Sequence, residues 1–139
     1  MSININLELI NNKVKFVGTS NTNQNSPITI DYVAPIGDGQ GYLGLELLVM
    51  SFAGCVSTAI VAMLRKMGKD ISGYKVNAIG IRNENPLSLE RVEYEIILNS
   101  KDTTYEELKQ VVEKAEAISP VLIAIKNNVR VISKITIEG

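Results

Sequence analysis

LLVMSFAGCVSTAIVAML, residues 47–64, decides the fold: eighteen consecutive residues carry no charge. Glu46 precedes the run, and Arg65 and Lys66 follow it. A helix that is apolar on every side is either a membrane span or the buried centre of a packed protein. Ser51, Ser57 and Thr58 interrupt the run, and the flanking segments read as half-buried strands and an amphipathic helix that need a shared core. The expectation is therefore a core helix and no membrane partner. The helix is expected from about Leu43 to Met67, with Gly68 free to take the left-handed conformation that ends it. Arg65 and Lys66 sit in the last turn, where cations favour the helix dipole. At 1.5 Å per residue such a helix is ~35 Å long. One small sheet does not cover it, so an oligomer is expected.

The segments on either side set the class. Ile3, Ile5, Leu7 and Leu9 alternate with Asn4, Asn6, Glu8 and Ile10, Asn11-Asn12 turns the chain, and Val14 to Val17 resumes a strand. Gly18 to Pro27 reads as a polar, exposed loop, and Ile28, Ile30 and Tyr32 alternate again. After the helix, Tyr74–Arg82 and Arg91–Leu98 are strands, linked by NENPLSLE read as a loop. In the second, Val92, Tyr94, Ile96 and Leu98 share one face, opposite Arg91, Glu93 and Glu95. Thr104 and Glu107 form a capping box before a helix whose apolar face is Leu108, Val111, Val112, Ala115 and Ile118, with Lys109, Glu113 and Glu116 outward. Pro120 interrupts it and biases Ser119 away from helical geometry. A short helix over Val121–Ile125 and a strand carrying Val129, Val131, Ser133, Ile135 and Ile137 complete the chain. The order predicts one α+β domain over residues 1–139 with antiparallel pairing.

Composition narrows the partners. With 139 residues, 45% apolar and 21% charged, the chain is ordinary globular material. Fourteen basic and fifteen acidic residues give a net charge of -1, with no basic stripe, so no nucleic acid partner is expected. The N-terminal MSININLELINNKVKF lacks the basic start and apolar run of a signal peptide, and a lone cysteine forms no internal disulfide, so a cytoplasmic location is expected. With no histidine and one cysteine, no metal site and no cofactor are expected.

Cys55 is that cysteine. It is either a small buried hydrophobe or a thiolate nucleophile. About nine residues into the helix, it lies too deep for the terminal dipole alone to support a thiolate. Glu46 is the second candidate, the one charge in the first turns; its structural explanation is the favourable dipole at the helix start. Nine residues apart on one helix, Glu46 and Cys55 are ~13 Å apart along the axis. PIGDGQG, residues 35–41, precedes a helix N-terminus, where anions bind, but its spacing matches neither a Walker loop nor a dinucleotide fingerprint. Without histidine no Ser-His-Asp or Cys-His pair exists.

ELLVMSFAGCVSTAIVAMLRKMGKDISGYKV, residues 46–76, resembles the central segment of the OsmC/Ohr family, the osmotically induced and organic hydroperoxide resistance proteins. AEAISPVLIAI, residues 115–125, resembles the family's second site, which reads Cys-Pro-Val. The resemblance spans about residues 40–137. It implies an OsmC-like α+β fold, antiparallel sheets around a long central helix in an intertwined homodimer. It also implies reduction of hydroperoxides by two cysteines, the first oxidised to a sulfenic acid and the second closing a disulfide that an external thiol reduces. Cys55 matches the attacking position and Ser119 the resolving one, so the two-cysteine cycle is absent. The hydroperoxide resistance branch also has an N-terminal arginine and a glutamate ten residues before the cysteine. Here no arginine precedes Arg65, Leu45 holds the minus-ten position, and Lys13 and Lys15 are the cations on offer. Two readings follow: a one-cysteine hydroperoxide reductase acting through Cys55, with Glu46 and Ser119 as site residues and an external thiol as partner, or a non-catalytic dimer that binds a small apolar ligand or serves a structural role.

Overall fold

A computed structural model describes residues 2–139. The chain divides into two compact units, one ending at Leu47 and one beginning at Leu48.

The first unit is an antiparallel sheet in the order β1 (Ile5–Leu9), β2 (Phe16–Ser20), β3 (Asn23–Ile30). Pairing of Leu7 with Gly18 and Gly18 with Ile28 sets the register. Ile5, Leu7, Leu9, Phe16, Ile28 and Ile30 thereby share one face. Within this chain that face is open: Leu7 is 53% exposed and Leu9 51%. The expected loop over 18–27 is instead the end of β2, a turn and the start of β3. Ladder bonds come from the backbone, so Asn, Gln and Ser side chains do not prevent pairing where a strand is solvated. The hydroxyls of Ser20 and Thr22, 2.9 Å apart, brace the turn, and Pro27 is tolerated because β3 is an edge strand.

Residues 35–41 wrap around the carboxylate of Asp31, which is 2% exposed. It accepts from the amides of Tyr32 (2.8 Å), Asp38 (3.2 Å) and Gln40 (3.0 Å). Gly39 has φ 65° and donates to the Tyr32 carbonyl. A Cβ on Gly37 would lie 2.2 Å from that same oxygen, so only glycine fits. Amides of this loop that an anion would need are thus taken by the chain's own carboxylate, and the loop is not an open phosphate cradle. Lys13 pairs with Asp38 at 2.6 Å and Lys15 donates to Gln40 at 3.0 Å, on the outside of the same loop.

The second unit holds most of α1 (Gly44–Lys66), then β4 (Gly73–Glu84), β5 (Leu87–Asn99), α2 (Tyr105–Ile118), α3 (Pro120–Ile125) and β6 (Arg130–Glu138). α1 matches the expected span to within a residue at each end. It closes as a Schellman motif: Gly68, φ 76°, donates to Arg65, and Lys69 donates to Leu64. Phe52, Val56, Ile60 and Leu64, spaced four apart, form a fully buried stripe. The helix is long and apolar enough to cross a membrane by length and composition, and its buried stripe belongs to the core of this unit. Its other sides are not covered within the chain: only 22% of its most apolar eighteen-residue window is buried.

The sheet order is β4-β5-β6. β4 and β5 are a long antiparallel hairpin, with Glu84 already paired to Leu87. The segment 83–90 is therefore strand except at Asn85-Pro86, because hairpin pairing extends nearly to the turn. The register shifts so that Arg82 faces Leu89 and Ile81 faces Arg91, leaving Glu90 bulged. This extra residue returns Leu89 to the face of Val92, Tyr94, Ile96 and Leu98, and all five are buried. β6 pairs parallel to β5, Val92 with Val131 and Ile96 with Ile135, which corrects the expectation of antiparallel pairing throughout. The reason is the connection: α2 and α3 form a crossover, and a crossover returns the chain in its original direction. The capping box of α2 is complete, with Glu107 N–H donating to the Thr104 hydroxyl (3.1 Å) and Thr104 N–H to the Glu107 carboxylate (3.0 Å).

Gly80 shares the inner face. A Cβ there would stand 2.9 Å from Leu89 Cδ1 and 3.1 Å from Val49 Cγ2 of α1, so glycine lets helix and sheet approach. Gly80→Val is expected to destabilise the protein by about 1–3 kcal/mol, read as a lowered midpoint in chemical denaturation.

Asp31 supplies a pH test. Its carboxyl is held below the ordinary 3.8, first by the Gln40 amide and further by those of Tyr32 and Asp38. A depressed carboxyl pKa stabilises the fold fully above the unfolded value, and that contribution is lost as pH falls through the lower folded value. Asp31→Asn is therefore expected to lower the melting temperature at pH 7, with the gap from the parent narrowing below pH 3.8.

Candidate functional site

Cys55 lies on α1 beside the buried stripe, between Phe52 and Val56, and is itself half-buried. Ser119 stands sixty-four residues later, where α2 ends and α3 begins. The sequence dictates that junction. Pro120 at the first position of α3 disfavours helical geometry at the preceding residue, and Ser119 has φ -68° and ψ 116°. Its backbone N–H still donates to Ala115 as the C-cap of α2. Its side chain accepts from the Leu122 amide at 3.5 Å as the N-cap of α3. The same hydroxyl donates to Cys55 Sγ at 3.2 Å.

Ser119 is 1% exposed, so this contact is shielded from water on the serine side. A hydroxyl donating to sulfur stabilises negative charge there, and an amide donating to that hydroxyl strengthens the chain of hydrogen bonds. The arrangement runs from Leu122 N–H through Ser119 Oγ–H to Cys55 Sγ. No second thiol is present to capture an oxidised sulfur.

Glu46 belongs to the first unit and has a partner there. Its carboxylate accepts from the Leu43 amide at 2.8 Å, which closes the first turn of α1. Lys13 and Lys15 are likewise engaged within that unit, with Asp38 and Gln40. Of the residues singled out from sequence, the structure brings Cys55 and Ser119 together, and gives Glu46 and the two lysines local partners. Among the described residues, no group of three or more His, Cys, Asp or Glu side chains is placed to hold a metal ion.

Two polar pairs were not legible from sequence. Ser57 on α1 receives the Tyr74 hydroxyl at 2.9 Å. Tyr94 of β5, 3% exposed, donates to Glu116 Oε2 at 2.6 Å, and its ring meets Phe52 edge-on with centroids 5.0 Å apart. Glu116, expected to look outward, is therefore turned to the core. Burial, then the Glu116 carboxylate, push the Tyr94 phenol well above its ordinary range, so it remains a donor. The one signal in sequence was a tyrosine on the buried face of a strand, because a buried phenol needs a partner.

The fold agrees with that of known proteins. An OsmC-like protein of Mycoplasma pneumoniae superposes with a TM-score of 0.84 at 16% identity, covering 100% of this chain and 99% of that one. An OsmC-like protein of unknown function from Vibrio cholerae gives a TM-score of 0.85 at 13% identity, covering 98% and 99%. The organic hydroperoxide resistance protein of Bacillus subtilis gives 0.63 at 16% identity, covering 98% of each chain. No curated protein sequence matches the chain. The family model described as OsmC-like protein matches residues 37–134, which include Glu46, Cys55 and Ser119. The chain therefore belongs to the OsmC-like protein family.

Proposed function

We propose that the protein is a one-cysteine hydroperoxide reductase, with Cys55 as the attacking thiolate and Ser119 as the group that supports it. The observation that carries this reading is the hydrogen bond from Ser119 to Cys55 Sγ, at the junction that resembles the family's second site. In the first step Cys55 Sγ attacks the distal peroxide oxygen. The S–O bond forms, the O–O bond breaks, the alcohol leaves with a proton, and the sulfur becomes a sulfenic acid. Ser119 cannot close a disulfide. An external thiol therefore condenses with the sulfenic acid, releasing water, and a second thiol reduces the mixed disulfide to restore Cys55. The external thiol belongs to a reducing compartment such as the cytoplasm. Glu46 takes the structural part of this scheme, holding the start of α1 through Leu43.

Brief treatment with an organic hydroperoxide in the presence of a sulfenic acid trap should label Cys55, detected by mass spectrometry. Cys55→Ala should reduce peroxide-dependent thiol oxidation by about a hundredfold or more. Failure of the parent protein to form the adduct, with turnover equal to that of Cys55→Ala, would establish the non-catalytic reading instead. Ser119→Cys should convert the site to a two-cysteine one. The 3.2 Å contact makes the two side chains direct neighbours, and peroxide should then produce an intramolecular disulfide seen as a faster-migrating band on a non-reducing gel.

The assembly that fits this reading is a homodimer within a single OsmC-like domain per chain. Its support is the apolar surface that one chain leaves uncovered: most of α1, with Met50 52% exposed, and the Ile5, Leu7, Leu9 face of the first sheet. Surface of that extent marks an interaction site in a soluble protein. Sedimentation equilibrium should give twice the mass of the 15.2 kDa chain, and a monomer at micromolar concentration would overturn the assignment.

A further inference from the structure

We infer that Tyr94 and Glu116 are positioning residues that set the contact between Ser119 and Cys55. The pair lies outside the thiol site, yet each of its members acts one helical turn before one of the two reactive positions. Glu116 precedes Ser119 by three residues at the end of α2, and Phe52 precedes Cys55 by three on α1. Residues three apart are neighbours on a helix surface. Tyr94 of β5 holds both turns at once: its hydroxyl grips Glu116 at 2.6 Å and its ring meets that of Phe52 in a T-shaped contact, 5.0 Å between centroids at 85°.

Phe52 is fully buried and Tyr94 nearly so, which makes the ring contact rigid. Glu116 is half-buried, and its bond to Tyr94 is the one side-chain hydrogen bond tying α2 to β5 among the described residues. A charge-assisted O–H···O bond of this length is among the stronger kinds. The end of α2 is where such a tie matters. Pro120 ends α2 at Ser119 and starts α3, so the direction of the serine depends on how the last turn of α2 is held. The Tyr94 bond adds a tie to β5 to the caps that hold Ser119, and so sets the position of the last turn of α2 against the sheet. A shift of that turn would lengthen the 3.2 Å contact to sulfur and weaken it.

As a contribution to peroxide reduction this inference rests on the function proposed above, but the geometric coupling does not, and alkylation of Cys55 by iodoacetamide at pH 7 tests it without peroxide. Ser119→Ala should slow alkylation about threefold, through loss of the hydrogen bond to sulfur. Tyr94→Phe keeps the ring and should reproduce that slowing. The Tyr94→Phe, Ser119→Ala double variant should be no slower than either single one. Glu116→Gln keeps an acceptor for the phenol and should alkylate at close to the parent rate, whereas Glu116→Leu should behave like Tyr94→Phe and serves if that variant does not fold. A parent-like rate in Tyr94→Phe and Glu116→Leu, slowing that adds to that of Ser119→Ala, or a Ser119→Ala rate that does not fall would each overturn the inference. Peroxide reduction can fail while this coupling holds, and the coupling can fail while Cys55 still reacts with peroxide, so the two proposals are separable.

Discussion

The structure depends on what α1 demands of its surroundings. A 23-residue helix with an uncharged central run exposes apolar surface in every direction, and each buried Å² of it contributes about 25 cal/mol. The second unit meets part of that demand with the stripe Phe52, Val56, Ile60 and Leu64. Everything on the inner face of β4–β6 follows from docking this stripe. Gly80 has no side chain where Val49 approaches, the bulge at Glu90 keeps Leu89 inward, and Tyr94 turns its ring edge to Phe52. Cys55 comes to its place as a by-product, because it sits on the flank of a stripe that packing holds in a single orientation.

The second constraint is the break at Ser119-Pro120. Proline ends one helix and starts another, and the residue before it inherits both a C-cap and an N-cap role. Its side chain is thereby held where an amide can donate to it and where it can donate onward to sulfur. A cysteine at this position would face the same sulfur. The serine puts a polar group where a second thiol could have stood, and with one cysteine in the chain no internal disulfide forms.

The loop before α1 shows how composition can mislead. PIGDGQG combines glycines with a helix start, which is the usual setting for anion binding. Its amides are satisfied instead by Asp31, a carboxylate that belongs to the chain. The glycines are explained by Tyr32 and Asp31 standing where a Cβ would fall at Gly37, and by the positive φ of Gly39. The same requirement for backbone donors to be paired accounts for both readings. Sequence alone does not reveal which acceptor is used, since Asp31 lies outside the loop that it organises.

Elements whose cause is local were legible in the sequence. The span of α1, its glycine end, the capping box at Thr104 and Glu107, the alternation in β5 and the role of Pro120 all depend on residues within a few positions of one another. The resemblance that paired Cys55 with Ser119 rests on two such local stretches, residues 46–76 and 115–125. Tertiary structure alone decided what depends on residues far apart. The parallel pairing of β6 depends on where a crossover returns the chain. The polar segment 18–27 became strand on either side of a turn because a neighbouring ladder accepted its backbone. Glu116 turned inward because a buried phenol twenty-two residues earlier needed an acceptor, and Ser119 reached sulfur because α1 and the α2–α3 junction meet there. Periodicity reports which face of an element is apolar; only the folded chain determines which polar atoms that packing leaves in need of each other.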